Sequence, residues 1–408
     1  MIRWIVEGKL GTGPAEQSTP ADAIRIDVRH LLDAPGNDPA SIEALIRQGV
    51  AALHERRTVL VLCDFGVSRS NAIAAGILAR YRSIPFTAAI RQVIERTGET
   101  EIKVSMIETV RRVLGGEETL PKRGGRIAVT GGTGMLGSAV IQRLGDRAAA
   151  FLGRSDFDLK DSPALLAARL REEDASTVIH LAHPRIFSNN NALAEALHMQ
   201  KNVMDAAVAA GATFVLVSCS AVFGKLPMPC KVRPDAERRP SEIVGIIKLL
   251  QEELALHGST SRGPETKIVR LPALYGAGCA RPKFIRNFRD AIIAGRPVRT
   301  HRFPLGAAQL ELLHVADAAT GIVAVAERGT ARNYHLGSSN PIATARIAEM
   351  SSQALQRPFI HEEIIIEEAG FVPSLDWAET RRELGWFPSR DFAEELPAIL
   401  QAYPAYEA

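Results

Sequence analysis

Residues 126–144, RIAVTGGTGMLGSAVIQRL, read as a short apolar strand, a glycine loop and a helix. Gly131, Gly134 and Gly137 fall where the strand gives way to the helix, with Met135 and Leu136 between them. Glycine at these places permits a tight turn and lets a pyrophosphate approach the helix N-terminus closely. Working outward, RAAAFLG, STVIHLA, TFVLVS and KIVRLPA are further short apolar runs with helical stretches between them. That alternation is the βαβ rhythm of a doubly wound parallel sheet.

Toward the N-terminus, VLVLCDFGVSRSNAIAAGIL (59–78) repeats the strand–loop–helix shape, now with a thiol in the loop. AIRID and TVLVL read as buried strands, and PASIEALIRQGVAALHERR as a helix with Pro39 at its start. SNAIAAGILARY, PFTAAIRQVIERTG and EIKVSMIETVRRVL read as three more helices, so this part is also α/β. Between the two parts, GGEETLPKRGG (115–125) is glycine-rich and charged, which is linker composition. The expected organisation is therefore residues 1–114, a linker at 115–125 and residues 126–408. The C-terminal stretch LDWAETRRELGWFPSRDFAEELPAILQAY predicts a helix, an exposed turn and a helix.

Length and composition limit the function. A chain of 408 residues exceeds one typical core. A net charge of +3, no long basic run and 5% aromatic residues argue against a nucleic-acid surface. Cys63, Cys219, Cys230 and Cys279 show neither metal-type spacing nor a disulfide framework, so a reduced, cytoplasmic setting and no metal are expected. MIRWIVEGKLGTGP lacks the apolar region of a signal peptide. The charge-free stretch 206–224 is interrupted by AAGAT and SCS, which predicts a helix end, a turn and a buried strand rather than a membrane span.

Cys63 and Arg69 stand in a C-x5-R spacing, with Gly66 between them and Ser70 after them. A loop of this kind turns backbone N–H groups inward around an anion, and the helix N-terminus adds positive potential. Both favour a thiolate nucleophile, while the Arg69 fork holds two phosphoryl oxygens. Ser70 is placed to donate to the departing sulfur. These features resemble the dual-specificity type of cysteine-dependent phosphatase, over most of residues 1–114. The resemblance implies an aspartate about thirty positions upstream as general acid, and LLDAPGNDP offers Asp33 and Asp38. Asp33 is favoured, since Asp38 also suits the helix cap before Pro39. One departure is Leu62, which stands where that family usually has histidine.

From 126 to 403 the chain resembles the extended short-chain dehydrogenases/reductases, the NAD-dependent epimerase/dehydratase group. The motifs are DASTVIHLAH, NVMDAAVAAGATFVLVSCSAVFG, RLPALYGAG, ELLHVADAATGIVAVAER and ELGWFPSRDFAEEL. The resemblance implies NADP or NAD on the glycine loop, with LGRSDFDLKD contributing Arg154, Asp158 and Leu159. Arg154 in place of an acidic residue favours NADP. The group's Tyr-x3-Lys pair falls on PSEIVGIIKLLQEE, where Lys248 is kept and the tyrosine position is Val244. Its serine or threonine falls on Cys219, flanked by Ser218 and Ser220, and its asparagine on Ala196. His183, Ser220, Glu242 and Tyr275 are the alternative proton donors.

Three functions fit these residues. The first is a two-domain enzyme: a phosphatase joined to a domain that binds NAD(P) and a sugar- or nucleotide-like ligand. The second is an active NAD(P)-dependent nucleotide-sugar epimerase or reductase with another proton donor. The third is a phosphatase regulated by a nucleotide-sensing domain. A small phosphorylated metabolite is the expected partner, and the second resemblance implies a homodimer.

Overall fold

The computed structural model describes residues 2–34, 36–115, 125–154, 156–184, 191–260, 263–276, 283–338, 340–367 and 370–402, without the side chains of 259, 260 and 283. Most of the expected linker, and Cys279, lie outside these residues. The chain forms two compact units: 1–122 with 157–175 and 202–212, and 123–156 with 176–201 and 213–408.

The first unit is built on β1 (Arg3–Val6), β2 (Leu10–Pro14), β3 (Ile24–Asp27) and β4 (Val59–Cys63), in the order β1-β2-β4-β3. β4 runs parallel to both β2 and β3. All five residues of β4 are buried, as its unbroken apolar run requires of a central strand. Helices α1 (Pro39–His54), α2 (Arg69–Arg82), α3 (Phe86–Thr97) and α4 (Val104–Val113) complete the layers. Asp38 caps α1 by accepting from the Ala40 and Ser41 N–H groups, with Pro39 in the first turn. Helix α6 (Pro163–Glu172) joins this unit: Ala164 lies in its apolar core and Arg171 pairs with Glu108 of α4 at 2.7 Å. The β1–β2 pair is absent from the reading of apolar runs, because LGTGP carries two glycines and a proline.

The second unit is an α/β Rossmann-like fold around a six-stranded sheet. Its strands include β5 (Arg126–Thr130), β6 (Ala148–Phe151), β7 (Ala175–His180) and β8 (Thr213–Cys219). Thr266–Leu271 and Asn333–His335 extend the sheet beyond β8, in parallel register. β5 lies between β6 and β7, so the strand order reverses there. In such sheets the crevice for a ligand opens outside the carboxyl ends of the strands at that reversal. Helices α5 (Met135–Leu144), α7 (Asn191–Ala210) and α8 (Ile243–Thr260) belong to the same βαβ succession. The charge-free stretch resolves as the end of α7, a turn and β8. Among the described residues no helix is long and apolar enough to cross a membrane. The C-terminal stretch forms helices Ala378–Leu384 and Phe392–Ala402 with a turn between them.

Candidate functional site

The glycine loop joins β5 to α5. Gly131 has φ +73°, and a Cβ there would lie 2.8 Å from the Ala182 nitrogen at the end of β7. A Cβ on Gly137 would lie 2.2 Å from the Gly131 carbonyl oxygen, so the first turn of α5 sits directly on the loop. Gly134 is the residue before α5 and keeps extended backbone. Thr130 supports the loop from below: its Oγ1 accepts from the Leu181 and Ala182 N–H groups at 3.3 Å and contacts His180 Nδ1 at 2.9 Å. Glycine at 131 and 137 thus lets the loop pack directly on the segment after β7 and on the first turn of α5, and the α5 N-terminus at such a loop suits a pyrophosphate. Arg154 is exposed and ion-paired with Glu195. Asp158 and Leu159 belong to the first unit. There Asp158 accepts from the Lys160 N–H at 3.0 Å, and the Leu159 carbonyl accepts from Asn202 at 3.0 Å.

Lys248 on α8 donates from Nζ to the Val217 carbonyl of β8 at 2.9 Å. Burial lowers its pKa. Val244 lies one turn earlier on the same helix face. Cys219 ends β8, and Ser220 is buried in the short turn that follows. Burial raises the Cys219 thiol, and the Lys248 charge opposes that shift. Ser218 and Ala196 are buried. The alternative donors are not equally placed. Glu242 is exposed and paired with Lys225 at 2.7 Å. Tyr275 is buried with its ring 5.0 Å from Phe392 and 5.1 Å from His314, and burial raises its pKa. Tyr275 thus lies in the core and Glu242 on the surface. His183 is half-buried, with Nδ1 3.3 Å from the Pro184 carbonyl oxygen.

In the cysteine loop, Cys63 Sγ accepts from the Gly66 N–H at 3.3 Å and lies 3.3 Å from Ser70 Oγ. Gly66 has φ +72°, and a Cβ there would lie 2.7 Å from the Gly13 carbonyl carbon. Ser68 donates to Asp33 at 2.5 Å and accepts from the Lys103 N–H at 3.0 Å, which fixes Asp33 beside the loop. Asp38 is instead the α1 cap, and its pKa is held low by hydrogen bonds from Ser41 and Ala40. Arg69 donates to the carbonyls of Arg29 and Leu31 at 2.9 and 3.1 Å and pairs with Asp64. Leu62 is buried under the loop. The loop is held from another side: buried Asn71 donates to the carbonyls of Gly66 and Val67, and Thr12 donates to Asn71 at 2.7 Å. Sequence reasoning missed Asn71 and Thr12. The one signal was an amide side chain in the first turn of α2, directly after the cysteine loop.

Beyond the turn after β8, Lys225, Phe284, Phe288, Thr300, Gln309 and Leu310 help line a cavity of about 510 Å³. Next to it in sequence, Glu311 is buried and accepts from the Ser338 and Leu375 N–H groups at 2.8 Å each. Burial outweighs those two bonds and pushes its pKa up to about 7. The neutral acid is thus favoured by folding, so stability is full below the ordinary carboxylate range and falls as pH rises toward 7. The expected loss is about 3 kcal/mol. Denaturation at several pH values should show that slope flattened in Glu311→Gln, and an unchanged slope would count against it.

A profile of the NAD dependent epimerase/dehydratase family matches residues 127–337. Among solved structures, dTDP-glucose 4,6-dehydratase from Bacillus anthracis, in complex with NAD, aligns at 18% identity. The alignment covers 68% of this chain and 96% of that one, with TM-score 0.59. MoeE5 in complex with UDP-glucose and NAD aligns at 21% identity over 68% and 98%, with TM-score 0.57. UDP-glucose 4-epimerase from Thermotoga maritima, with UDP-glucose, aligns at 15% over 68% and 98%, with TM-score 0.58. No curated protein matches the chain.

Proposed function

Since the chain belongs to the NAD dependent epimerase/dehydratase family, we propose that its second unit binds NADP or NAD and acts on a small sugar- or nucleotide-like ligand, using a proton donor other than tyrosine. The observation that carries this reading is Lys248, kept on α8 and docked on β8 although the tyrosine one turn earlier is valine. The Gly131–Gly137 cradle takes the pyrophosphate, and Lys248 turns from the Val217 carbonyl to the nicotinamide ribose. A bound nicotinamide supplies or accepts hydride. Arg154 would meet a 2′-phosphate only by leaving Glu195, which sets NADP against an existing ion pair. The cavity lined by Phe284, Phe288 and Gln309 holds the ligand. Solved relatives that carry NAD and UDP-glucose support this assignment. Calorimetry with NAD(H) and NADP(H) tests it: binding of at least one is expected, and binding of neither removes the reading.

A second reading is favoured by the cysteine loop. We infer that residues 1–114 form a phosphatase-type domain, joined by 115–125 to the family domain of 126–408. Cys63 Sγ attacks phosphorus, Arg69 holds the equatorial oxygens and Asp33 protonates the leaving oxygen. Water then cleaves the cysteinyl phosphate while Ser70 donates to the departing sulfur. A small phosphorylated metabolite is the substrate. Aryl phosphate turnover should vanish in Cys63→Ser and fall about a hundredfold in Asp33→Asn, the usual scale of a lost general acid. Parent rates in both variants would refute the mechanism.

We infer a homodimer from the apolar face of α8. Ile243, Ile246 and Leu250 are 50%, 40% and 38% exposed and share one face of the helix. A second copy of the chain would cover that stripe and make a homodimer. Sedimentation should report a dimer that Ile246→Glu dissociates. A monomeric parent chain would end the claim.

A further inference from the structure

Phosphoryl transfer in the cysteine loop needs the Arg69 fork free for the substrate, but one nitrogen of that fork already holds an acid. We propose that Asp64 is an internal stand-in for the phosphoryl group: its carboxylate occupies Arg69 in the empty loop, and a phosphate monoester binds by displacing it. This rests on the phosphatase reading above and names the residue that sets how tightly the loop takes its substrate.

The two ends of the Arg69 guanidinium do different things. Nη1 donates to the carbonyls of Arg29 and Leu31, which ties the cation to the segment leading to Asp33. Nη2 donates to the Asp64 carboxylate. With Nη1 engaged, a phosphoryl group that takes two parallel bonds from the fork needs Nε and Nη2. The nitrogen it needs is thus the one Asp64 covers. The Arg69 side chain is only 13% exposed, whereas that of Asp64 is 48% exposed. The cation is therefore fixed in the wall of the loop, and the carboxylate has solvent to swing into.

The loop backbone is held against such a change. The Gly66 carbonyl accepts from Arg3 at 3.1 Å and from Asn71 at 3.3 Å, and the Val67 carbonyl accepts from Asn71 at 2.7 Å. Gly66 also packs on the Gly13 backbone. What is left to move is the Asp64 side chain, which follows Cys63 directly. Its charge has the sign of the phosphate's. An anion entering beside Cys63 takes the place of the carboxylate on Arg69 or bears its repulsion at close range. The neighbouring acids are engaged elsewhere: Asp33 accepts from Ser68, and Asp27 pairs with Arg29 at 2.7 Å. Among the described residues Asp64 is the one acid paired with Arg69.

The test titrates inorganic phosphate into the full chain by calorimetry, with circular dichroism to check that each variant is folded. Asp64→Asn and Asp64→Ala should each bind phosphate about tenfold more tightly than the parent, the scale of removing one like charge beside an anion. The KM for an aryl phosphate should fall by a similar factor. A carboxylate that served only to orient Arg69 would give the opposite sign, because its loss would loosen the fork. If the parent binds phosphate and either variant binds it no more tightly, the inference is overturned while the phosphatase reading stands. If neither the parent nor the variants bind phosphate, the loop is no anion site and both fall together.

Discussion

Glu252→Gln is expected to cost the second unit about 3–5 kcal/mol, the penalty for leaving a buried cation without its partner. Glu252 lies wholly inside, on α8, and accepts from Arg270 Nε at 2.9 Å and Nη2 at 2.8 Å. Arg238 adds a third bond at 2.9 Å. Arg270 is itself 2% exposed and stacks its guanidinium 5.2 Å from the Phe223 ring. A glutamine keeps the shape but removes the charge that two guanidiniums share. Burial alone would raise the Glu252 pKa, but the Arg270 and Arg238 contacts prevail and hold it low. Its contribution is therefore full above the ordinary carboxylate range and is lost as pH falls from that range through the lowered folded value. Denaturant unfolding followed through Trp377 and Trp386, both in this unit, reads the loss. A change below about 1 kcal/mol would mean that solvent reaches the pair.

Gly137→Ala is expected to weaken NAD(H) or NADP(H) binding roughly a hundredfold, about 2.7 kcal/mol. The added Cβ would lie 2.2 Å from the Gly131 carbonyl oxygen and 2.9 Å from Gly132 Cα. Both neighbours are backbone, so no side chain can swing aside. Either α5 lifts away from β5 or the loop closes over the space a pyrophosphate needs. Calorimetry on the variant reads the affinity, and circular dichroism checks that the helix content is kept. Affinity within about threefold of the parent would show that the cradle is not where the dinucleotide binds. Gly134→Ala is the contrasting case. Its Cβ would meet only the Gly131 carbonyl oxygen, at 3.3 Å, and the residue keeps φ −77°, so a much smaller loss is expected.

How much of this was legible differs from residue to residue. The strand–glycine–helix unit at 126–144 could be read directly, because apolar runs and glycine spacing are local properties. The same holds for β4 and α2 around Cys63, and for the Asp38 cap, where proline and aspartate sit side by side. The β1–β2 pair was not legible. Its glycines and proline oppose a strand locally, and pairing with β4 overrides them. Asn71 and Thr12 were not legible either, since their partners lie 59 residues apart in sequence.

The sequence by itself determined the βαβ succession, the two glycine-bearing loops and the valine four places before Lys248. All three depend on residue type and spacing within a few turns of chain. The tertiary structure alone decided which polar groups end in contact. It set Asp33 against Ser68 rather than in solvent, sent Tyr275 into an aromatic core and laid Lys248 on the strand that ends in Cys219. Such pairings arise when distant segments are buried together, where an unpaired polar group is costly and each donor must find its acceptor across the fold.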